Sequence, residues 1–136
     1  MRYNISALNI VWSRGMRIWG IVTSGVRRGA KYVSLKIYKE FFCKKLGCTD
    51  IYNGTLNIRL LAKTWRDIPL KKYCPNNQCS PVLYAKARLK NDCVLILRPI
   101  KSAHSDDIVE IVAQHNLREK YGLRDGDKVE IEIGDL

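Results

Sequence analysis

The chain is written as short extended runs closed by turn residues, and these runs do not alternate with helices. Met16 to Val22, Thr55 to Leu61, Val82 to Leu89, Cys93 to Arg98, Asp106 to Ala113 and Lys128 to Ile133 carry the β-branched, aromatic or alternating residues of strands. Asn53-Gly54, Lys90-Asn91-Asp92 and the stretch Leu123 to Asp127 supply turn chemistry between them. One longer helix is expected over Ile37 to Leu46, with Ile37, Phe41, Phe42 and Leu46 at helical spacing and Gly47 as its C-cap. A second, of one or two turns, runs from the cap Asn116 to Gly122. About six short strands with two helices and no βαβ rhythm give a mainly β chain that closes its sheet into a small barrel. Lys31 to Leu35 reads as extended, and residues 62–81, with Pro69, Pro75 and Pro81, read as loop. Residues 1–16 read as a loosely docked leader and residues 17–136 as a single domain, which fits a chain of 136 residues.

The charge is uneven. Lys and Arg number 24 against 13 Asp and Glu, a net charge of +11. Residues 1–49 hold ten basic side chains and the single acid Glu40, whereas residues 104–136 hold nine acids and four bases. Such a division points to an anionic ligand at one end, a nucleotide, a nucleic acid or a membrane surface; a basic face kept for solubility is the plain alternative. No window has the apolar length of a membrane span. The run Ile5 to Trp12 is short, broken by Asn9 and lacks a small-residue cleavage site, so it does not read as a signal peptide, and a cytoplasmic protein is expected. Of five cysteines, Cys74 and Cys79 have a spacing suited to a loop disulfide or to half of a zinc site. No second CxxC or HxxxH pair is present to complete a zinc site.

Tyr52-Asn-Gly-Thr-Leu-Asn57 brings a turn into a strand. On that strand Thr55 and Asn57 lie one pleat apart and face the same way. A hydroxyl and an amide oxygen so placed suit Mg²⁺ when phosphates and waters complete its shell; the alternative is a pair of solvent-facing strand residues. Upstream, Gly25 to Ala30 form a loop with two glycines and two arginines. With extended residues expected after it, this loop fits neither the P-loop nor the dinucleotide fingerprint, and phosphate would be met by backbone N–H groups and arginines without a helix dipole.

Four blocks in order resemble the archaeal CTP-dependent riboflavin kinases: Val22-Thr-Ser-Gly25 with Gly29 and Tyr32-Val-Ser34; Tyr52 to Asn57; Arg98-Pro-Ile-Lys-Ser-Ala-His104; and Ile108 to Ala113 with Leu117-Arg-Glu119 and Leu123 to Asp127. The likeness spans about residues 17–136. It implies a six-stranded cradle-loop (RIFT-like) β-barrel with one or two short peripheral helices. It also implies transfer of the γ-phosphoryl group of CTP to the 5′-hydroxyl of riboflavin, giving FMN and CDP.

Carried over by position, the resemblance makes Thr55 and Asn57 ligands of a Mg²⁺ cofactor. Gly25, Val26, Arg27, Arg28, Gly29 and Ala30, with His115, Asn116, Leu117 and Arg118, become nucleotide contacts, and Ser102 and Glu110 flavin contacts. Glu110 has a rival role as general base for the 5′-hydroxyl, or as a strand carboxylate paired with a cation; His104 either shapes its loop or acts in catalysis. Arg27 stands where the family has glycine, and Gln114 where it has proline. The partners so implied are riboflavin and CTP, with no membrane or nucleic acid and a monomeric protein. Two alternatives stand beside this: a basic barrel that binds nucleic acid through Trp12, Trp19 and Trp65, and a flavin-binding module without turnover.

Overall fold

A computed structural model describes residues 15–25, 30–75, 80–100 and 104–134. Seven antiparallel strands are present among them: β1 (Met16–Thr23), β2 (Leu56–Leu60), β3 (Lys71–Tyr73), β4 (Val82–Leu89), β5 (Asp92–Pro99), β6 (Ile108–Ala113) and β7 (Lys128–Ile133). The order β4-β5-β6-β2-β1-β7 closes when β7 pairs back onto β4, giving a six-stranded barrel as expected. One edge of β4 is shared. Its first half pairs with β3 through Val82–Tyr73 and Tyr84–Lys71, and its second half with β7 through Ala87–Ile133 and Leu89–Ile131.

The strand sequences explain which side is buried. In β1 and β2, Ile18, Val22, Leu56, Ile58 and Leu60 alternate inward, with Val109 and Ile111 of β6 and Val129 and Ile131 of β7. Gly20 lies in the same inward row, and a Cβ there would come 2.3 Å from Ile58 Cγ2. β5 is different: Val94, Leu95, Ile96 and Leu97 are all fully buried. Val94 and Ile96 fill the barrel, and Leu95 and Leu97 face outward into a second core with Val82 and Tyr84 of β4. An unbroken apolar run is what a strand covered on both faces requires.

The cover is helical. α1 (Ala30–Ser34) and α2 (Lys36–Leu46) lay Tyr32, Val33, Tyr38 and Phe42 over that outer face. Each such side chain contributes about 1.5–3 kcal/mol when fully buried. Gly47 closes α2 at φ 68°, as expected for a C-cap. The buried face of α2 is Tyr38, Phe42 and Cys43, whereas Ile37 is exposed, so the expected apolar stripe is rotated by one residue. Phe41 is half-buried and stacks on Tyr73 of β3, with ring centroids 3.5 Å apart.

Two local expectations are corrected. Residues Lys31 to Ser34 are helical and only Leu35 of that stretch is extended, because Tyr32 and Val33 gain burial by turning inward as α1, where Tyr32 meets the Tyr38 ring edge-on at 4.9 Å. Burial outweighs a weak β propensity. Residues 62–81 are not all loop. They contain a 3₁₀ turn (Trp65–Asp67), capped by Thr64, and β3, which is too short and polar to register as a strand. The last helix, α3 (Leu117–Tyr121), is as expected, with Asn116 accepting from Glu119 N and Gly122 at φ 64°.

Candidate active site

The outer face of the barrel carries one continuous row across five strands. Tyr84 pairs with Leu97, Leu97 with Glu110, Glu110 with Asn57 and Asn57 with Thr23, and directly paired residues share a face. Tyr84 and Leu97, at one end of the row, belong to the core beneath α1 and α2. Glu110, Asn57 and Thr23 are polar, and Glu110 sits at the junction.

These polar groups are buried. Glu110 has no exposed surface, Asn57 is 2 % exposed, and Thr55 is also buried. The solvent-facing reading of Thr55 and Asn57 therefore fails: the strand's second face is covered as well as its first. The Thr55 hydroxyl donates to Glu110 Oε1, and His104 Nε2 lies 3.1 Å from Glu110 Oε2. Asn57 Oδ1 is buried and has no hydrogen-bond partner among the described residues. Leaving such an acceptor unpaired costs about 1–3 kcal/mol, so native structures rarely tolerate one without a purpose.

The loop that carries His104 is held from below by Arg98, a buried guanidinium. It donates to the carbonyls of Ser105 and Ile108 at 2.7 Å and of His104 at 3.0 Å. Burial lowers the Arg98 pKa from its ordinary value, and the nearby Asp106 carboxylate opposes that shift.

Of the glycine-rich loop, Gly25 and Ala30 are described, while Val26, Arg27, Arg28 and Gly29 lie outside the described residues, as does Ser102. Gly25 leaves β1 directly above the site, since a Cβ on it would lie 3.5 Å from Asn57 Nδ2. Contrary to expectation, the loop leads into the helix α1, although that helix is only five residues long.

Arg118 is brought to the same corner. Its Nη2 donates to Thr23 O at 3.3 Å and to Asp125 Oδ1 at 2.7 Å, and Ser24 Oγ donates to Asp125 Oδ2 at 2.5 Å. The end of β1, the start of α3 and the turn before β7 are thus tied together. Arg118 is an anchored cation rather than a bare one.

A cleft runs between these groups, lined by Tyr52, Gly54 and Thr55 on one side and His115, Asn116 and Arg118 on the other. The structure therefore brings Thr55 beside the His115–Arg118 segment, two sets that are far apart in sequence. Sequence reasoning missed Tyr52 as a wall of the cleft, and missed Asp92. Asp92 looked like a turn residue, but its buried carboxylate receives Lys120 Nζ at 2.6 Å, Tyr121 OH at 2.5 Å and His115 Nδ1 at 3.1 Å. Burial pushes the Asp92 pKa up, yet the hydrogen bonds from Lys120, Tyr121 and His115 outweigh it and bring it down to about 2.

Among the described residues, no group of three His, Cys, Asp or Glu side chains is placed to hold a metal ion. The donors here are instead neutral oxygens. An amide oxygen orphaned among the described residues, beside a hydroxyl that donates to Glu110, suits a hard cation, because donating the proton turns the lone pairs of Thr55 Oγ1 to acceptor or metal-ligand use. The residues present fit Mg²⁺. No described helix is long and apolar enough to cross a membrane. Cys79, and with it the pairing with Cys74, falls outside the described residues.

Comparison with known proteins bears on this site. The family model CTP-dep_RFKase, described as a domain of unknown function (DUF120), matches residues 22–133. A protein named riboflavin kinase from Sulfolobus acidocaldarius is 35% identical over 133 residues, covering 89% of this chain and 83% of that protein. Another of the same name from Methanobrevibacter smithii is 34% identical over 125 residues, covering 87% of this chain and all of that protein. A third, from Pyrobaculum islandicum, is 36% identical over 131 residues, and there the match covers 87% of this chain and 60% of that longer protein. With the family model spanning most of the barrel and relatives matched over most of their own length, the chain belongs to the archaeal CTP-dependent riboflavin kinase family.

Proposed function

We infer that this chain transfers the γ-phosphoryl group of CTP to the 5′-hydroxyl of riboflavin, giving CDP and FMN. The observation that carries the reading is Asn57 Oδ1, a buried acceptor without a partner among the described residues, one pleat from Thr55, which lines the cleft. The names of the relatives, riboflavin kinase, support the acceptor substrate. The name of the family model supports CTP as donor.

In this reading Thr55 and Asn57 hold Mg²⁺. When bound, the ion neutralises charge on the triphosphate. Thr55 is oriented for that role by Glu110, which takes its hydroxyl proton in a hydrogen bond. Arg118, fixed by Asp125 and Thr23 O, adds positive charge near the end of β1, where the glycine loop that begins at Gly25 is assigned to the phosphates. Glu110 is assigned to the riboflavin end of the site, and His104 lies against its second oxygen. The 5′-oxygen forms a bond to the γ-phosphorus as the bond to the bridging β-oxygen breaks. The hydroxyl proton passes to a nearby base, for which Glu110 is the candidate, and CDP departs. Positioning and charge neutralisation carry most of such a reaction.

The test is an incubation of the purified chain with riboflavin, Mg²⁺ and each of the four common nucleoside triphosphates, with FMN read by chromatography. FMN formed chiefly with CTP is expected. A folded protein that forms none with any donor refutes the reading.

A further inference from the structure

Two cysteines that the chemistry above does not use meet at the end of α2. The helix closes through two main-chain hydrogen bonds: Gly47 N donates to Lys44 O at 3.3 Å, and Cys48 N donates to Cys43 O at 3.0 Å. With Gly47 left-handed at φ 68°, this is the Schellman pattern. The residue after the glycine folds back onto the helix residue five positions before it, and the two side chains commonly make an apolar contact there. Here both are cysteines.

Cys43 is buried in the outer core with Phe42, and Cys48 packs against the same core while remaining half-buried. Both are free thiols in this structure. Burial raises the Cys43 pKa from its ordinary value, and the adjoining Cys48 thiol, hydrogen-bonded to it, raises it further. The chain beyond Cys48 is fixed as well. Asp50 Oδ1 receives Lys39 Nζ at 2.7 Å, Ile51 is buried in that core, and Tyr52 N donates to Ala113 O at 2.9 Å. The main chain thus holds the two thiols in contact. The third free cysteine, Cys93, is exposed on β5.

We propose that Cys43 and Cys48 are a disulfide-forming site that staples the end of α2 to the connection leading into β2. A small-molecule disulfide is the oxidant. The thiolate of Cys48, the more exposed of the two, attacks one sulfur of the reagent and expels the other as a thiol, leaving a mixed disulfide. Cys43, shielded by burial, enters second: its thiolate attacks the Cys48 sulfur and expels the remaining half of the reagent. Two protein S–H bonds are replaced by one S–S bond, and the reagent leaves as two thiols that carry the protons. The connection so pinned carries Tyr52 and ends at Thr55, so the staple fixes the root of the segment that enters the cleft.

The sequence makes the link easy to read. Lys44 and Lys45 stand between the two cysteines, so trypsin separates them unless a disulfide joins the peptides. The exposed thiol of Cys93 is removed by Cys93→Ser, which prevents it from taking up the reagent. That variant, incubated folded with oxidised glutathione, should yield the peptide ending in Cys43-Lys44 joined to the one that contains Cys48. Mass spectrometry should find no glutathione retained on either.

The staple should also stabilise, since closing even so short a loop restricts the unfolded chain. A rise in Tm of roughly 3–8 °C is expected for a domain of this size. Cys74 is itself disulfide-bonded, so the effect is read as a difference between two proteins. The gain in Tm from reduced to oxidised sample should be larger by that amount in Cys93→Ser than in the same protein carrying Cys48→Ser. Cys48 is only half-buried, so its serine variant keeps the fold. Glutathione retained on Cys48 with Cys43 unreacted, or an equal gain in Tm in the two proteins, overturns the proposal.

Discussion

Replacing Asn57 by leucine, a side chain of nearly the same shape, separates what this residue does for the fold from what it does in the site. Its Oδ1 is buried without a partner among the described residues, so the folded protein bears the desolvation cost of that atom, about 1–3 kcal/mol. Leucine removes the cost and adds buried apolar surface. Part of the gain is lost because the new side chain faces Thr55 and Glu110, which are polar, and Gly25. The net change expected for the metal-free protein is a gain of about 0–2 kcal/mol. In a domain of this size about 1 kcal/mol corresponds to roughly 3–5 °C in Tm. Thermal unfolding in chelator should therefore show Asn57→Leu melting at or a few degrees above wild type, while FMN formation falls by about two orders of magnitude or more. Mg²⁺ with CDP should raise the Tm of wild type and leave that of the variant in place. A variant that loses more than about 2 kcal/mol of stability, or that makes FMN at near the normal rate, refutes the argument that Oδ1 is held unpaired for a ligand.

Glu110→Gln distinguishes two roles for a carboxylate that already receives Thr55. A raised KM for riboflavin at constant kcat marks a flavin contact, a lowered kcat marks a base, and neither change rules out both. Asp92 makes stability depend on acid. Its folded pKa, about 2, lies below its ordinary value of 3.8, so its stabilisation is complete above pH 4 and disappears as pH falls through 2. The difference in urea midpoint between wild type and Asp92→Asn should correspond to about 2 kcal/mol at pH 7 and narrow sharply by about pH 2.5; a gap independent of pH counts against the ion pair. Gly20→Ala should destabilise by about 1–3 kcal/mol, because its Cβ meets Ile58 Cγ2 at 2.3 Å and Arg59 O at 3.1 Å inside the barrel wall; unchanged stability would mean the wall yields. Nucleic-acid binding, if any follows from the charge of +11, should be weak and lost steeply with salt, and tight salt-resistant binding would favour the nucleic-acid alternative.

The barrel was legible where local chemistry and tertiary structure agree. Lys90 and Asn91 form the two-residue turn between Leu89 and Asp92, with Lys90 at φ 54°, and Asn116 and Gly122 bracket α3 as their side-chain chemistry dictates. The helix over Lys31 to Ser34 was not legible because Tyr32 and Val33 favour strands locally, and packing with Tyr38 and Leu97 makes helix the better burial. The shared face of Thr55 and Asn57 follows from a period of two. Its burial does not, since that depends on what lies above the strand. The pairing of Asn57 with Glu110 was invisible for the same reason: β2–β6 register is set by contacts some fifty residues apart along the chain. Asp92 had no local signal at all. Its partners Lys120, Tyr121 and His115 arrive from another part of the sequence.

The divided edge of β4 bears on where this molecule can give. β7 closes the barrel against Ala87 to Leu89 only, while β3 takes Val82 to Tyr84 of that edge, and β5 the whole length of the other edge. Around the ring, the β4–β7 junction lies diametrically opposite the β2–β6 pair that carries Asn57 and Glu110. Thermal breathing of the wall is thereby concentrated at a short seam, and the amides of Leu89 and Ile131 should exchange with solvent by openings smaller than global unfolding. The seam works as an expansion joint: the cylinder flexes on one side while the polar row on the far side keeps its spacing.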